Sequence, residues 1–308
     1  MTAASIRRIL CPVDFSESSG RALEYALDLA RRRAAQVAVL HVAARTLPPL
    51  SALAAYASAA LEGGVRERLR RDLLEELRRF VEPVARGVPV TYAVEEGNVV
   101  GSIVETAAQA DLLVLGTHGH GEIEGLILGS VAEKALHRAP CPVLTVPRAA
   151  VARSGASATF AHILCPLDFS PSSNDALGYA FAFAREAEGR VTLLHVIEGF
   201  LGEKPVDIHL EVGGHLERAR AEARERLRAA VPPEDARWQE GEPLVATGKA
   251  HAEILRAAEE RRSDVIVMGV HGQSGLGRLL LGSTARHVVR AAPCPVLTVR
   301  SKKDERPV

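Results

Sequence analysis

The chain has 308 residues, 47% of them apolar and 25% charged, and its 38 Lys and Arg balance 38 Asp and Glu. That length allows two domains of ordinary size, each able to bury a core, and the neutral balance excludes the basic footprint of a nucleic-acid binder. No apolar run reaches the roughly eighteen residues needed to span a bilayer. The opening MTAASIRRILCPVDFS has no long apolar stretch before a cleavage site, so neither leader nor anchor is expected and the cytoplasm is the expected compartment.

In chain order, IRRILCPVDF at 6–15 is a short apolar run closing on Asp14, the mark of a buried parallel strand. Residues 18–33 carry Leu23, Leu27 and Ala30 at the helical period. VAVLHV at 37–42 is strand two, and 66–85 is a long amphipathic helix rich in Glu and Arg. VPVTYAV at 88–94 predicts strand three, 99–109 a helix, DLLVLG at 111–116 strand four, 130–138 a helix and PVLTV at 142–146 strand five.

The second half repeats the first. RRILCPVDFS at 7–16 returns as AHILCPLDFS at 161–170, and VAVLHV at 37–42 as VTLLHV at 191–196. DLLVLGTHGHG at 111–121 returns as DVIVMGVHGQS at 264–274, and RAPCPVLTVPR at 138–148 as AAPCPVLTVR at 291–300. A repeat this long is a domain duplication. The expected domains are 1–150 and 160–308, joined by the Ala/Ser/Gly-rich linker 151–159. Strands alternating with helices give an α/β fold, each half a parallel sheet covered on both faces. Ligands bind such sheets beyond the carboxyl ends of the strands, where strand order reverses.

That edge collects the polar and glycine residues. Strand four runs into Gly116-Thr-His-Gly119, then nine residues, then Gly129-Ser130 at a helix start. The second half has Gly269-Val-His-Gly272, nine residues, then Gly282-Ser283. Glycines let backbone approach a pyrophosphate and adopt positive φ; a helix start offers free N–H groups to an anion. The plainer alternative is a glycine-rich turn, but two copies at the ligand edge of the sheet favour a phosphate cleft. Asp14 and Asp168 close strand one and are placed to accept from an adenine amino group or a ribose hydroxyl. Their alternative role is an N-cap, for which Ser16 and Ser170 are better placed. His41-Val42 and His195-Val196 end strand two beside them, with backbone able to pair with a base edge and imidazoles read as structural.

These motifs resemble the universal stress protein family, over both halves end to end. The resemblance implies two Rossmann-like (HUP-type) domains, each a five-stranded parallel sheet with helices on both faces. Its ATP-binding members carry the same Gly-x2-Gly-x9-Gly-[Ser/Thr] loop. By position, Asp14 and Val42 would hold adenine and ribose, and Gly116, Gly119, Gly129, Ser130 and Val131 the phosphates. The second-copy counterparts are Asp168, Val196, Met268, Gly269, Gly272, Gly282, Ser283 and Thr284. The implied ligand is ATP, with ADP or AMP as alternatives and Mg2+ left open. The implied role is a nucleotide-binding regulator of the stress response with a protein partner still to be identified. In the family, strand five pairs antiparallel with its twin, which a tandem chain satisfies internally as a pseudo-two-fold unit; association into a homodimer stays open.

The two sites differ. The first loop carries Glu122 and Glu124 where a triphosphate tail would lie, whereas the second carries Gly275, Gly277 and Arg278. Like charges disfavour one another in a desolvated cleft. Ser130 and Glu133 are spaced as a capping box, with Arg286 in place of the Glu in the second copy. The second site is therefore expected to be the tighter one. Two other classes stay open. One is a slow ATPase, or self-phosphorylation at Ser130 or Ser283, although no Walker lysine and no G-x-S-x-G elbow is present. The other is a nucleotide-free interaction module. Cys11, Cys141, Cys165 and Cys294 are far apart, each precedes a proline, and free buried thiols are expected. His209, His215, His251 and His287 lack metal-ligand spacing.

Overall fold

The structure is a computed structural model that describes residues 6–44, 63–118, 128–148, 160–198, 211–233, 243–272 and 281–301. The linker at 151–159 lies outside the described residues. The first repeat runs β1 (Arg8–Pro12), α1 (Glu17–Arg33), β2 (Gln36–Ala44), α2 (Gly63–Ala85), β3 (Val90–Gly97), α3 (Val99–Ala107), β4 (Leu112–Gly116), α4 (Ser130–Arg138) and β5 (Val143–Val146). The second runs β6 (His162–Pro166), α5 (Pro171–Ala187), β7 (Arg190–Ile197), α6 (Glu211–Ala229), β8 (Leu244–Thr247), α7 (Ala250–Glu260), β9 (Val265–Gly269), α8 (Ser283–Ala291) and β10 (Val296–Val299). Both repeats are Rossmann-like α/β, in the order the hydrophobic pattern predicts.

The chain divides into two compact units, one holding β1 to α4 and the other β5 to β10. In the first, the parallel strands stand in the order β3-β2-β1-β4. In the second the order is β8-β7-β6-β9-β10, again parallel. Each sheet therefore starts at a central strand, winds out one way through two strands, then crosses to the other side. The crevice of the first unit opens between β1 and β4, and that of the second between β6 and β9.

The strands are buried because their side chains are apolar without alternation. Leu112, Leu113, Val114 and Leu115 of β4 and Val265, Ile266, Val267 and Met268 of β9 are all buried, as a two-sided parallel strand requires. On one flank α1 packs against β1 and β4 and touches α2; on the other, α3 packs against β2 and α4. The inner face of α1 is Ala22, Leu23, Ala26, Leu27, Leu29 and Ala30, a stripe three to four residues apart. Fully burying each of its leucines contributes about 1.5–3 kcal/mol.

Serine capping holds as expected. Ser16 Oγ accepts from the Ser19 N–H at 3.2 Å, and Ser170 Oγ from the Ser173 N–H at 3.3 Å. Both helices stop on a left-handed residue, Ala34 and Glu188, each with φ 49°. Strand β5 pairs antiparallel with β10, Leu144 opposite Leu297, Val143 opposite Thr298 and Thr145 opposite Val296. Thr145 Oγ1 donates to the Val296 carbonyl and Thr298 Oγ1 to the Val143 carbonyl, both at 3.2 Å. One sequence, VLTV, occurs twice and pairs with itself, so the two edges that would otherwise stand open close on each other. This pairing places β5 in the same compact unit as the second repeat.

The cysteines are free. Cys11 and Cys165 are fully buried, and burial pushes each thiol up to about 12. Among the described residues no cluster of His, Cys, Asp and Glu could hold a metal ion, and no helix is long and apolar enough to cross a membrane.

Candidate functional site

The ends of β1 and β6 turn through a residue with left-handed backbone. Phe15 and Phe169 both have φ 63°, a conformation costly for a bulky side chain, so surrounding contacts must hold it. Those contacts are the histidines that end strand two. The ring of Phe15 lies 4.6 Å from that of His41, and Phe169 lies 4.9 Å from His195. His41 Nδ1 is 2.8 Å from the Val13 carbonyl and His195 Nδ1 is 2.7 Å from the Leu167 carbonyl. A carbonyl only accepts, so each Nδ1 carries the proton. The outer side of each Phe is covered differently: Phe80 stands edge-on at 5.6 Å in the first copy, whereas the Arg226 guanidinium lies 3.8 Å from the ring centre in the second.

This turn aims the carboxylates. Asp14 Oδ1 accepts from the Ser16 N–H at 3.0 Å and from its hydroxyl at 2.6 Å; Asp168 Oδ1 accepts from the Ser170 N–H at 3.0 Å. In the second copy the other oxygen, Oδ2, faces Gly272 closely enough that a Cβ on that glycine would sit 3.0 Å away. The aspartates do not cap, as expected, yet one oxygen is committed to orienting the group.

The reason for the glycines needs correction. None of the motif glycines among the described residues, Gly116, Gly129, Gly269, Gly272 and Gly282, has positive φ. What requires them is close approach. A Cβ on Gly269 would lie 2.6 Å from Ser172 Oγ and 2.7 Å from the Ser173 nitrogen, and one on Gly116 would strike the Ser18 hydroxyl and lie 2.8 Å from its carbonyl. These two glycines let the first turn of α1 or α5 press against the end of the fourth strand. On Gly282 a Cβ would lie 3.0 Å from the Val270 carbonyl, which accepts the Gly282 N–H at 2.9 Å.

That same hydrogen bond overturns the capping box. Gly129 and Gly282 are the N-cap residues: their carbonyls accept the first intrahelical bonds, from Glu133 and Arg286, while their own N–H groups are tied back to Thr117 and Val270. Ser130 and Ser283 are consequently the first helical residues, one position too late to serve as the N-cap of a box with Glu133. The helices α4 and α8 thus start from glycine N-caps that have no side chain to cap them, and both starts line a cleft.

The first cleft, 230 Å3, is lined by Asp14, Val42, Gly116, Gly129, Ser130 and Val131. The second, 410 Å3, is lined by Asp168, Val196, Met268, Gly269, Gly272, Gly282, Ser283 and Thr284. Every described site residue named from sequence stands in its cleft; Gly119 and Arg278, like Glu122 and Glu124, lie outside the described residues. Sequence reading passed over Ile103 and Ile254, which give each cleft an apolar wall. It also passed over the serines that fix the loop entry: Ser172 Oγ donates to the His271 carbonyl at 2.6 Å, and Ser18 Oγ accepts from the His118 N–H at 3.4 Å. The repeated pair Ser18-Ser19 and Ser172-Ser173 was the available signal.

Comparison with known proteins agrees with this architecture. A universal stress protein of Mycolicibacterium smegmatis is 28% identical over 304 residues, covering 96% of this chain and 97% of the relative. One from Thermus aquaticus is 39% identical over 147 residues, 46% of this chain and 99% of its own length. The crystal structure of a universal stress protein from Archaeoglobus fulgidus superposes with a TM-score of 0.62 at 23% identity, covering 95% of this chain and 98% of that one, which is a likeness of fold. The profile of the universal stress protein family matches residues 5–147 and again 159–300. Two successive matches, one on each repeat, show that the chain belongs to the universal stress protein family.

Proposed function

We propose that both clefts bind an adenine nucleotide, ATP or alternatively ADP or AMP, and that the protein is a cytoplasmic regulator of the stress response rather than a fast enzyme. The observation that carries this reading is convergence. In each copy a carboxylate from strand one, the end of strand two, the glycines of the loop at strand four and a helix start with a glycine N-cap line one cleft at the reversal point of the sheet. The helix start offers N–H groups and a positive dipole end to phosphate. The Asp offers an acceptor to the nucleoside, and the apolar wall of Ile103 or Ile254 offers a surface to the base. Mg2+, if bound, would enter as the counter-ion of the triphosphate.

Occupancy acts on a partner only if bound and free states differ in their affinity for it; nucleotide contacts to the segments after β4 and β9 would supply that difference. The test is mass spectrometry of small molecules released from freshly purified, denatured protein. Adenine nucleotide near one or two per chain supports the reading. None, even after incubation with Mg-ATP, overturns it in favour of a nucleotide-free interaction module.

A further inference from the structure

Resting on the nucleotide reading, we propose that Glu198 gives the second cleft a ribose-recognising acceptor with no counterpart among the described residues that line the first. Glu198 follows the end of β7 and lines the cleft together with Ala250. Its Oε1 accepts the Ala250 N–H at 2.7 Å. Lys249, the N-cap residue of α7, makes no side-chain cap, so a carboxylate from the neighbouring strand performs that task across the cleft wall. One oxygen is thereby pinned. The other has no partner among the described residues and is available to a ligand donor.

The first copy solves the same local problem without a charge. Asn98 caps α3, its Oδ1 accepting the Gly101 N–H at 2.9 Å. The residue matching Glu198, two beyond Val42, is Ala44, which is absent from the cleft lining. Val99 occupies the place that Ala250 takes in the second copy. Among the described lining residues the second cleft thus carries a carboxylate beside its Ala250, where the first has only Val99, and the second is the larger, 410 against 230 Å3.

Charge decides which part of a nucleotide meets Glu198. A carboxylate repels phosphate, so the phosphates belong at the glycine-capped helix start, Gly282, Ser283 and Thr284, and not beside Glu198. The nucleoside end is left facing Glu198. A carboxylate beyond the second strand of a dinucleotide-binding fold accepts from ribose hydroxyls, and the vicinal diol is a pair of donors matched to a carboxylate oxygen with open lone pairs.

The experiment is calorimetric titration of the full chain carrying Gly129→Glu, which blocks the first cleft, with ATP and with 2′,3′-dideoxy-ATP, whose ribose lacks both hydroxyls. Glu198→Ala is expected to weaken ATP about tenfold, the loss of a hydrogen bond to a charged group, and to leave dideoxy-ATP unchanged. Glu198→Gln keeps an acceptor for the Ala250 N–H and is expected to retain the melting temperature while losing part of the ATP affinity. Equal weakening of both nucleotides by Glu198→Ala overturns the proposal and leaves Glu198 a cap or a base contact. No effect on ATP overturns it as well. Failure of the wild-type chain to bind either nucleotide is a separate outcome, which removes the nucleotide reading and this inference with it.

Discussion

Asp168 has two oxygens with different duties. Oδ1 holds the turn through the Ser170 N–H, and Oδ2 faces Gly272 across the cleft. Asp168→Asn leaves a carbonyl oxygen for Ser170 and puts an NH2 group where a ligand would donate. The expected result is a melting temperature within a few degrees of wild type and nucleotide affinity lowered at least about tenfold. A large drop in melting temperature would make the residue a structural one. Cys11 and Cys165 make a second case at this scale. Burial raises their thiols from 9.0 to about 12, so the fold holds them neutral. An unfolded thiol ionises first, so this stabilisation is whole below pH 9 and is lost as pH rises from 9 toward 12, at about 1.4 kcal/mol per thiol per pH unit. At pH 8 iodoacetamide is expected to leave both unmodified in the native chain and to label them in denaturant. Native labelling at the denatured rate, read by peptide mass spectrometry, would contradict the burial.

Among the elements, the glycine loop divides into packing and cleft positions. Gly269→Ala drives a Cβ to 2.6 Å from Ser172 Oγ and 2.7 Å from the Ser173 nitrogen, so helix α5 must back away from β9. A destabilisation of about 1–3 kcal/mol is expected. Among the described residues Gly272→Ala meets only the Asp168 carboxylate, at 3.0 Å, a side chain able to turn. It is expected to keep stability while reducing nucleotide binding. Thermal denaturation and titration of the two variants separate the roles; equal melting temperatures would remove the packing explanation.

For the whole molecule, the two repeats are alike in fold and unlike in site. Gly272→Glu with Gly282→Glu is expected to remove more nucleotide per chain than Gly119→Glu with Gly129→Glu, and equal losses would sink the ranking of the second cleft above the first. The second prediction concerns β5. It pairs with β10 through Leu144 and Leu297 and through two threonine hydroxyls. A fragment of residues 142–308 keeps that strand; a fragment of 160–308 leaves β10 with a bare edge. Size-exclusion chromatography is expected to find the shorter fragment self-associated and melting lower. Identical behaviour would show that β5 does not protect the edge.

The sequence by itself determined the duplication, the element order and the edge of the sheet where the cleft-lining residues gather. All three follow from local pattern: apolar runs, the helical period, and motifs stated twice. Asp14, Val42, Gly129 and their second copies were legible because strand ends and helix starts are marked in the chain. The tertiary structure alone decided what those residues lean on. Gly116 and Gly269 are glycine because serines about one hundred residues away press against them, and Gly129 rather than Ser130 is the N-cap, its carbonyl accepting from Glu133 while Thr117 holds its N–H. Glu198 entered the cleft only because Ala250, fifty-two residues on, brings a helix start within 2.7 Å. Contacts of that kind depend on which segments the sheet makes neighbours, and no spacing along the chain records them.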